Sequence, residues 1–381
     1  MGGPEGARPG DTDQLATRGP VRVVGTGLLG ASVGLGLSTR GVDVVLDDPS
    51  PTALALARDV GAGRLAAEGD APPALVVVAA PPDVTARVVA QELGAWPEAV
   101  VTDVASIKAS VLAELRASGA DLTRYVGSHP MAGRERSGPS AALPDLFLGR
   151  PWVIADSGTS SADAVLAVRA LVVDLGGLPV TMDAAAHDAA VAVVSHVPQL
   201  AASLVAARLV DVDDAALGLA GQGLRDVTRL AASSPALWTS ILAANAGEVR
   251  RVLEAVRADL DQVIAALGAA HDASGGAAVR PGALASIARA IDDGNTGVAR
   301  IPGKHGGVRR DYGVVTVLVP DEPGELARLL TDVGHAGVNL EDLQLEHAAR
   351  RPVGMAAISV LPGAVERLET ALTERGWRLV R

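Results

Sequence analysis

Cysteine is absent from the 381 residues. That excludes disulfides, thiolate nucleophiles and cysteine-built zinc sites, and it is compatible with a cytoplasmic location. Lysine is nearly absent too. Among 33 basic residues only Lys108 and Lys304 are lysines. Arginine has drifted into the generic surface positions, so a lysine that remains is a candidate for a site needing a compact ammonium. Net positive charge is lacking: the balance is −11, which argues against nucleic acid or a membrane surface as a general partner. A few arginines still suffice to bind a small anion. No apolar run approaches the length of a membrane span. The N-terminus has no apolar signal core, and its Gly/Pro content reads as a disordered tail over residues 1–20. No cluster of metal-ligating residues stands out, so no metal is expected.

What is present is alternation. From Val21 to residue 183, short apolar runs such as "VRVVG", "VDVVLDD", "ALVVVAAPP" and "AVVTDV" alternate with helical segments. Ser50 caps one helix and Pro51 opens it. "PWVIAD" and "LPVTMD" extend the same sheet, for which the alternation implies parallel pairing. Residues 184–295 read as helices only, the last running from about Ala283 to Asp292, with Pro198 as an interruption. Residues 296–310 read as a Gly/Arg-rich linker. Residues 311–381 have the order β-α-β-β-α-β, which is ferredoxin-like. The expected fold is therefore α/β: a Rossmann-type doubly wound sheet, an all-helical domain and a small C-terminal module.

"VVGTGLLG" places Gly25, Gly27 and Gly30 between a strand and a helix, the context a dinucleotide site requires. Gly25 permits the tight turn, Gly27 a close pyrophosphate, and Gly30 close helix packing; Leu28 and Leu29 lie between them. The helix N-terminus favours the anion. Asp47 and Asp48 end the next strand, and a carboxylate there binds a ribose 2′-OH and repels a 2′-phosphate. NAD is thus the expected cofactor, with Asp48 as the ribose ligand.

A bound NAD needs a group to take the proton that accompanies the hydride. "VGSHPMAGRERSG" places His129 at the carboxyl edge of the sheet, held by Pro130 and glycines, with Arg134, Glu135 and Arg136 beside it. Lys108 stands at a helix start, where its ammonium can hold the His129 loop. In the helical region "VSHVPQ" offers Ser195, His196 and Gln199, and "GLRDVTRLAASSPALW" offers Arg225, Asp226, Arg229 and Trp238. An arginine there either clamps a carboxylate or pairs with Asp226.

Together "DVASIK", "SHPMAGRE", "VSHVPQ" and "GLRDVTRLAASSPALW" resemble the prephenate dehydrogenase (TyrA) family, which includes arogenate dehydrogenases, over roughly Val21–Arg310. "VPDEPGELARLLTDVGHAGVNLEDL" resembles an ACT domain, an amino-acid sensor. The resemblance implies NAD-dependent oxidative decarboxylation of prephenate to 4-hydroxyphenylpyruvate in tyrosine biosynthesis, or of arogenate to tyrosine, by a cytoplasmic homodimer. It makes His129 the catalytic histidine on the ring hydroxyl and Ser106 its neighbour. Arg229 becomes the carboxylate grip, Glu135 a gate, and Trp238 a closure from the second subunit. Arg134, His196 and Gln199 join the substrate set, and Asp103 and Lys108 the cofactor set. Many relatives have histidine where Gln199 stands, and this amide can face either a keto acid or an amino acid. In the module, Asp321, Gly324, Glu325, Leu326 and Asn339 are the expected effector contacts, with L-tyrosine as the expected effector and Asn339 opening a strand.

Two rivals are weaker. A 3-hydroxyacid dehydrogenase would use a lysine in the helical domain, which has none before Lys304. A catalytically dead sensor would not need the intact glycines, Ser106, His129 and Arg229.

Overall fold

A computed structural model describes residues 15–133, 136–274, 282–302, 312–347 and 353–380. It divides into two compact units, Met1–Val256 and Arg257–Arg381.

The first unit opens as β1 (Val21–Val24), α1 (Leu28–Ser38), β2 (Val44–Asp47), α2 (Pro51–Asp59), β3 (Arg64–Leu65), β4 (Leu75–Val78), α3 (Pro82–Ala95), β5 (Val100–Asp103) and α4 (Ala109–Ala117). β6 (Tyr125–Pro130), β7 (Pro151–Asp156), α5 (Ala162–Asp174) and β8 (Leu178–Thr181) complete one sheet of order β3-β2-β1-β4-β5-β6-β7-β8. From β3 through β6 every pair is parallel. The Val-rich strands are buried on both faces, as β-branched runs in a doubly wound sheet should be. In β4, Leu75 and Val77 face one core with α1 and α5, while Val76 and Val78 face another with α3 and α4. Each such valine or leucine contributes roughly 1.5–3 kcal/mol on burial.

One expectation of the pairing fails. β7 runs antiparallel to β6, although β7 and β8 are parallel. Between β6 and β7 the described chain has a 3-10 turn at Pro139–Ala141 but no crossover helix. Without a crossover the chain re-enters at the edge it left, which reverses the strand. From residue 15 the chain is described, and Thr17 is buried, donating its N–H and hydroxyl to Asp174 Oδ2 at 2.7 and 2.6 Å.

The helical part follows with α6 (Ala184–Val191), a π-helical turn (Ala192–His196), α7 (Val197–Ala207), α8 (Asp214–Leu217), α9 (Gln222–Thr228) and α10 (Pro235–Ala244). Pro198 does not interrupt this helix. The π turn precedes it and absorbs the missing donor, and the helix runs unbroken from Ala184 to Ala207. That helix is long and apolar enough to cross a membrane by length and composition, against the expectation. Its buried positions, however, include His187, Asp188, His196 and Gln199, which belong to the site below.

α11 (Ala246–Ser274) runs from the first unit into the second, and α12 (Ala283–Ala299) extends into the first residues expected to be linker. The module consists of β9 (Gly313–Pro320), α13 (Glu325–His335), β10 (Asp342–His347), β11 (Val353–Val360), α14 (Val365–Glu374) and β12 (Arg378–Val380). Its sheet is antiparallel, in the order β10-β11-β9-β12, over a core of Val317, Leu329, Ile358, Leu368 and Trp377.

Candidate active site

The glycine turn has the geometry a dinucleotide needs. Gly25 lies at φ +95°, and a Cβ there would come within 2.5 Å of the Ala79 carbonyl oxygen. A Cβ on Gly30 would stand 1.9 Å from the Gly25 carbonyl oxygen, so α1 packs on the turn only because that residue is glycine. At Gly27, the N-cap of α1, a Cβ would meet nothing within 4 Å, and no side chain caps the helix. Its first N–H groups are thus available to an anion. Asp48 Oδ2 accepts from the Thr26 N–H (2.7 Å) and hydroxyl (3.0 Å), and Oδ1 from the Ser50 N–H (2.8 Å). It keeps further acceptor capacity for a ribose. Asp47 is engaged elsewhere, by Arg22 at 2.8 Å. Leu28 is half-buried, and Leu29 packs partly into the core.

His129 is the penultimate residue of β6, not part of a loop beyond it, and it sits at the same carboxyl edge as Gly25 and Asp48. It is half-buried. Its Nδ1 lies 2.8 Å from His187 Nε2, and the rings meet edge to face. His187 Nδ1 in turn lies 2.7 Å from Asp188 Oδ1. Burial, then the neighbouring His187, Lys108 and His196, pushes the His129 imidazole well below the usual range. It is therefore neutral near pH 7 and able to accept a proton. Its Nε2 makes no hydrogen bond to any described residue, and the Ser106 hydroxyl, on the β5–α4 connection, is likewise half-buried without a described partner.

Asp103 and Lys108, expected in the cofactor set, are buried against each other. They are 0% and 1% exposed. The Lys108 ammonium is paired with Asp103 Oδ1, while Asp103 also accepts from the Ala105 N–H (2.9 Å) and the Tyr125 hydroxyl (2.7 Å). Burial lowers the Lys108 pKa against the pull of Asp103. The pair braces the β5–α4 connection behind His129, and breaking such a buried pair costs about 3–5 kcal/mol.

From the helical part, His196 is buried, 3.2 Å from Asn245 Nδ2 and edge-on to Trp238 of the same chain at 6.1 Å. Burial lowers its pKa as well. Gln199 is buried and donates to Ser233 Oγ at 2.7 Å, which ties α7 to the turn after α9. Arg229 begins that turn, exposed, with no ion pair among the described residues. The alternative Asp226 pairing does not form; Asp226 accepts from Gln222 instead. Arg134, Glu135 and Lys304 lie outside the described residues.

In the module, Gly324 caps α13 at φ +95° and Asp321 is exposed. Glu325 is taken by Arg328 at 2.6 Å, and Leu326 packs on the module core. Asn339 does not open β10, which begins at Asp342; it donates to Glu341 at 2.9 Å.

His187, Asp188 and Asn245 were missed in the sequence. Asn245 Nδ2 donates to the Asp188 carbonyl at 2.8 Å and so joins the two histidine sites. The only hint was an adjacent His-Asp pair on an otherwise apolar, Ala-rich helix.

Comparison with known proteins agrees with this layout. The model for "Prephenate dehydrogenase, nucleotide-binding domain" matches residues 33–180, and that for "Prephenate dehydrogenase, dimerization domain" matches residues 183–273. NovF of Streptomyces niveus, named as a probable prephenate dehydrogenase, is 40% identical over 361 residues, 93% of this chain and 98% of that one. The prephenate dehydrogenase of Bacillus subtilis is 30% identical over 246 residues, 60% of this chain and 65% of that one. Among solved structures, prephenate dehydrogenase of Aquifex aeolicus, in complex with hydroxyphenyl propionate and NAD+, has a TM-score of 0.62 at 22% identity, covering 75% of this chain and 100% of that one. Synechocystis arogenate dehydrogenase has a TM-score of 0.58 at 23% identity, covering 72% and 99%. The turn around Gly25, the His129 imidazole at the sheet's edge and these matches lead to one conclusion: the chain belongs to the prephenate dehydrogenase family of NAD-dependent oxidoreductases.

Proposed function

We propose that the chain oxidises prephenate with NAD to 4-hydroxyphenylpyruvate and carbon dioxide. The observation that carries this is His129: a neutral imidazole at the cofactor edge of the sheet, with Nε2 unengaged by any described residue. NAD supplies the hydride acceptor. His129 takes the hydroxyl proton as carbonyl character develops, and Ser106 lies on the adjoining connection to share that hydrogen bond. Loss of the ring carboxylate then aromatises the ring. The substrate is a dianion, and Arg229, exposed and without an ion pair among the described residues, is the group to grip one carboxylate. Asp48 binds the ribose. His196, Gln199 and Trp238 line the side-chain end, with Arg134 and Glu135 at the mouth.

Gln199 admits a second reading, arogenate, because a neutral amide meets an amino acid as readily as a keto acid. NADH formation measured with prephenate and with arogenate, side by side, tests both. A higher kcat/KM with prephenate is expected. Preference for arogenate would reverse the assignment, and inactivity with both would refute it.

The protein acts as a cytoplasmic homodimer, with tyrosine feedback through an ACT-type module. The strand order of residues 313–380 supports a ferredoxin-like reading of that module, and the similarity to NovF extends over 93% of the chain. The uncapped start of α13 after Gly324 suits an amino-acid carboxylate, with Asp321 and Asn339 beside it.

A further inference from the structure

The oxidation proposed above uses only the first member of the chain His129–His187–Asp188. The other two are buried, at 0% and 3% exposure, and they fix a proton position. Asp188 Oδ1 accepts the Lys108 N–H at 2.8 Å, and Oδ2 accepts the Ala109 N–H at 2.8 Å. These donors open α4, so the carboxylate sits at the positive end of a helix and remains an acceptor. His187 Nδ1, 2.7 Å from Oδ1, must then carry its hydrogen. With that as its single hydrogen, His187 has an acceptor at Nε2, and His129 Nδ1, 2.8 Å away, then donates to it, which leaves His129 Nε2 bare. That is the tautomer a base requires.

We propose that His187 and Asp188 are positioning residues, which hold His129 as its Nδ1–H tautomer and share the positive charge that arrives with the substrate proton. In the step, the substrate O–H bond breaks and an Nε2–H bond forms on His129. The hydride leaves the carbinol carbon for oxidised NAD. The ring C–carboxylate bond breaks, and its electron pair completes the aromatic ring as carbon dioxide leaves. The new imidazolium donates from Nδ1 to His187, which donates to Asp188, so the charge is drawn toward a carboxylate. The other groups that act on His129 are His196 from the π turn and Lys108, whose ammonium is paired with the Asp103 carboxylate. Asp188 is therefore the anion that acts on His129 through a hydrogen-bonded path.

The test has two arms on the full chain. Nitrogen-15 NMR of the imidazoles, with His129 assigned by difference from His129→Asn, reads the tautomer directly. Protonated Nδ1 and bare Nε2 are expected at neutral pH; an Nε2–H tautomer overturns the proposal. This arm needs no turnover, so inactivity toward both substrates would sink the functional reading while leaving the tautomer to be judged separately. In the second arm, His187→Leu should lower kcat on the order of 10²-fold with KM for both substrates nearly unchanged. Asp188→Asn should lower kcat and move the acid limb of kcat/KM to lower pH, because the anion that favours the imidazolium is gone. A variant that folds and keeps kcat within about threefold and the acid limb of the parent overturns the proposal. If Asp188→Asn fails to fold through loss of its hold on α4, His187→Leu and the resting tautomer still decide it.

Discussion

Arg229 stands exposed at the start of a turn, with no ion pair among the described residues. If it grips a substrate carboxylate, Arg229→Ala should raise KM for the dianion by about 2–4 kcal/mol in binding, with kcat less affected. Steady-state kinetics at saturating NAD checks this, and an unchanged KM would make Arg229 a structural residue. Burial makes a second residue-scale expectation. The folded-state pKa values of His129 and His196 lie below that of an unfolded histidine, about 6.5. Below that pH the unfolded chain binds protons that the folded chain refuses, so stability is full above it and falls as the pH drops toward the folded values. Urea midpoints from pH 8 to 5 should decline, and the decline should be shallower in His129→Asn. Lys108 was legible as special from arginine's near-complete replacement of lysine, but its partner was not. The burial of Asp103 against Lys108 cannot be seen in "DVASIK". His187 stayed hidden because it meets His129 across 58 residues of sequence with no motif linking them.

At the scale of elements, the β1–α1 turn separates two kinds of glycine. Gly30→Ala must push α1 off the turn, because the new Cβ would meet backbone oxygen at 1.9 Å. A loss of about 1–3 kcal/mol in stability is expected, along with weaker NAD binding. Gly27→Ala meets nothing in the protein, so its melting temperature should hold while NAD binding weakens. Thermal melts beside calorimetric NAD titrations separate the two, and equal destabilisation by both would refute the assigned roles. This turn was readable because glycine spacing states a backbone requirement. The direction of β7 was not, since periodicity identifies a strand without saying which way it runs. The π turn before Pro198 was hidden for a related reason: a proline can be met by a break or by a wider turn, and only packing chooses.

Over the whole molecule, the sequence showed an α/β part, a helical part and a β-α-β-β-α-β part, and each is present in that order. α12 continues to Ala299, where composition looks like linker. If the last part senses an amino acid, L-tyrosine should bind the full chain calorimetrically and inhibit it. A chain ending near Arg310 should escape that inhibition, since an effector shifts activity only by binding one arrangement more tightly. Equal inhibition of both would place tyrosine in the catalytic pocket alone. The claim beneath all of this is that His129 accepts the substrate proton during NAD reduction. The most direct measurement compares full-length protein with His129→Asn for NADH formed on mixing with prephenate, with NAD affinity measured in parallel. Turnover should fall by about two to four orders of magnitude at unchanged NAD affinity. Turnover near that of the parent would contradict it.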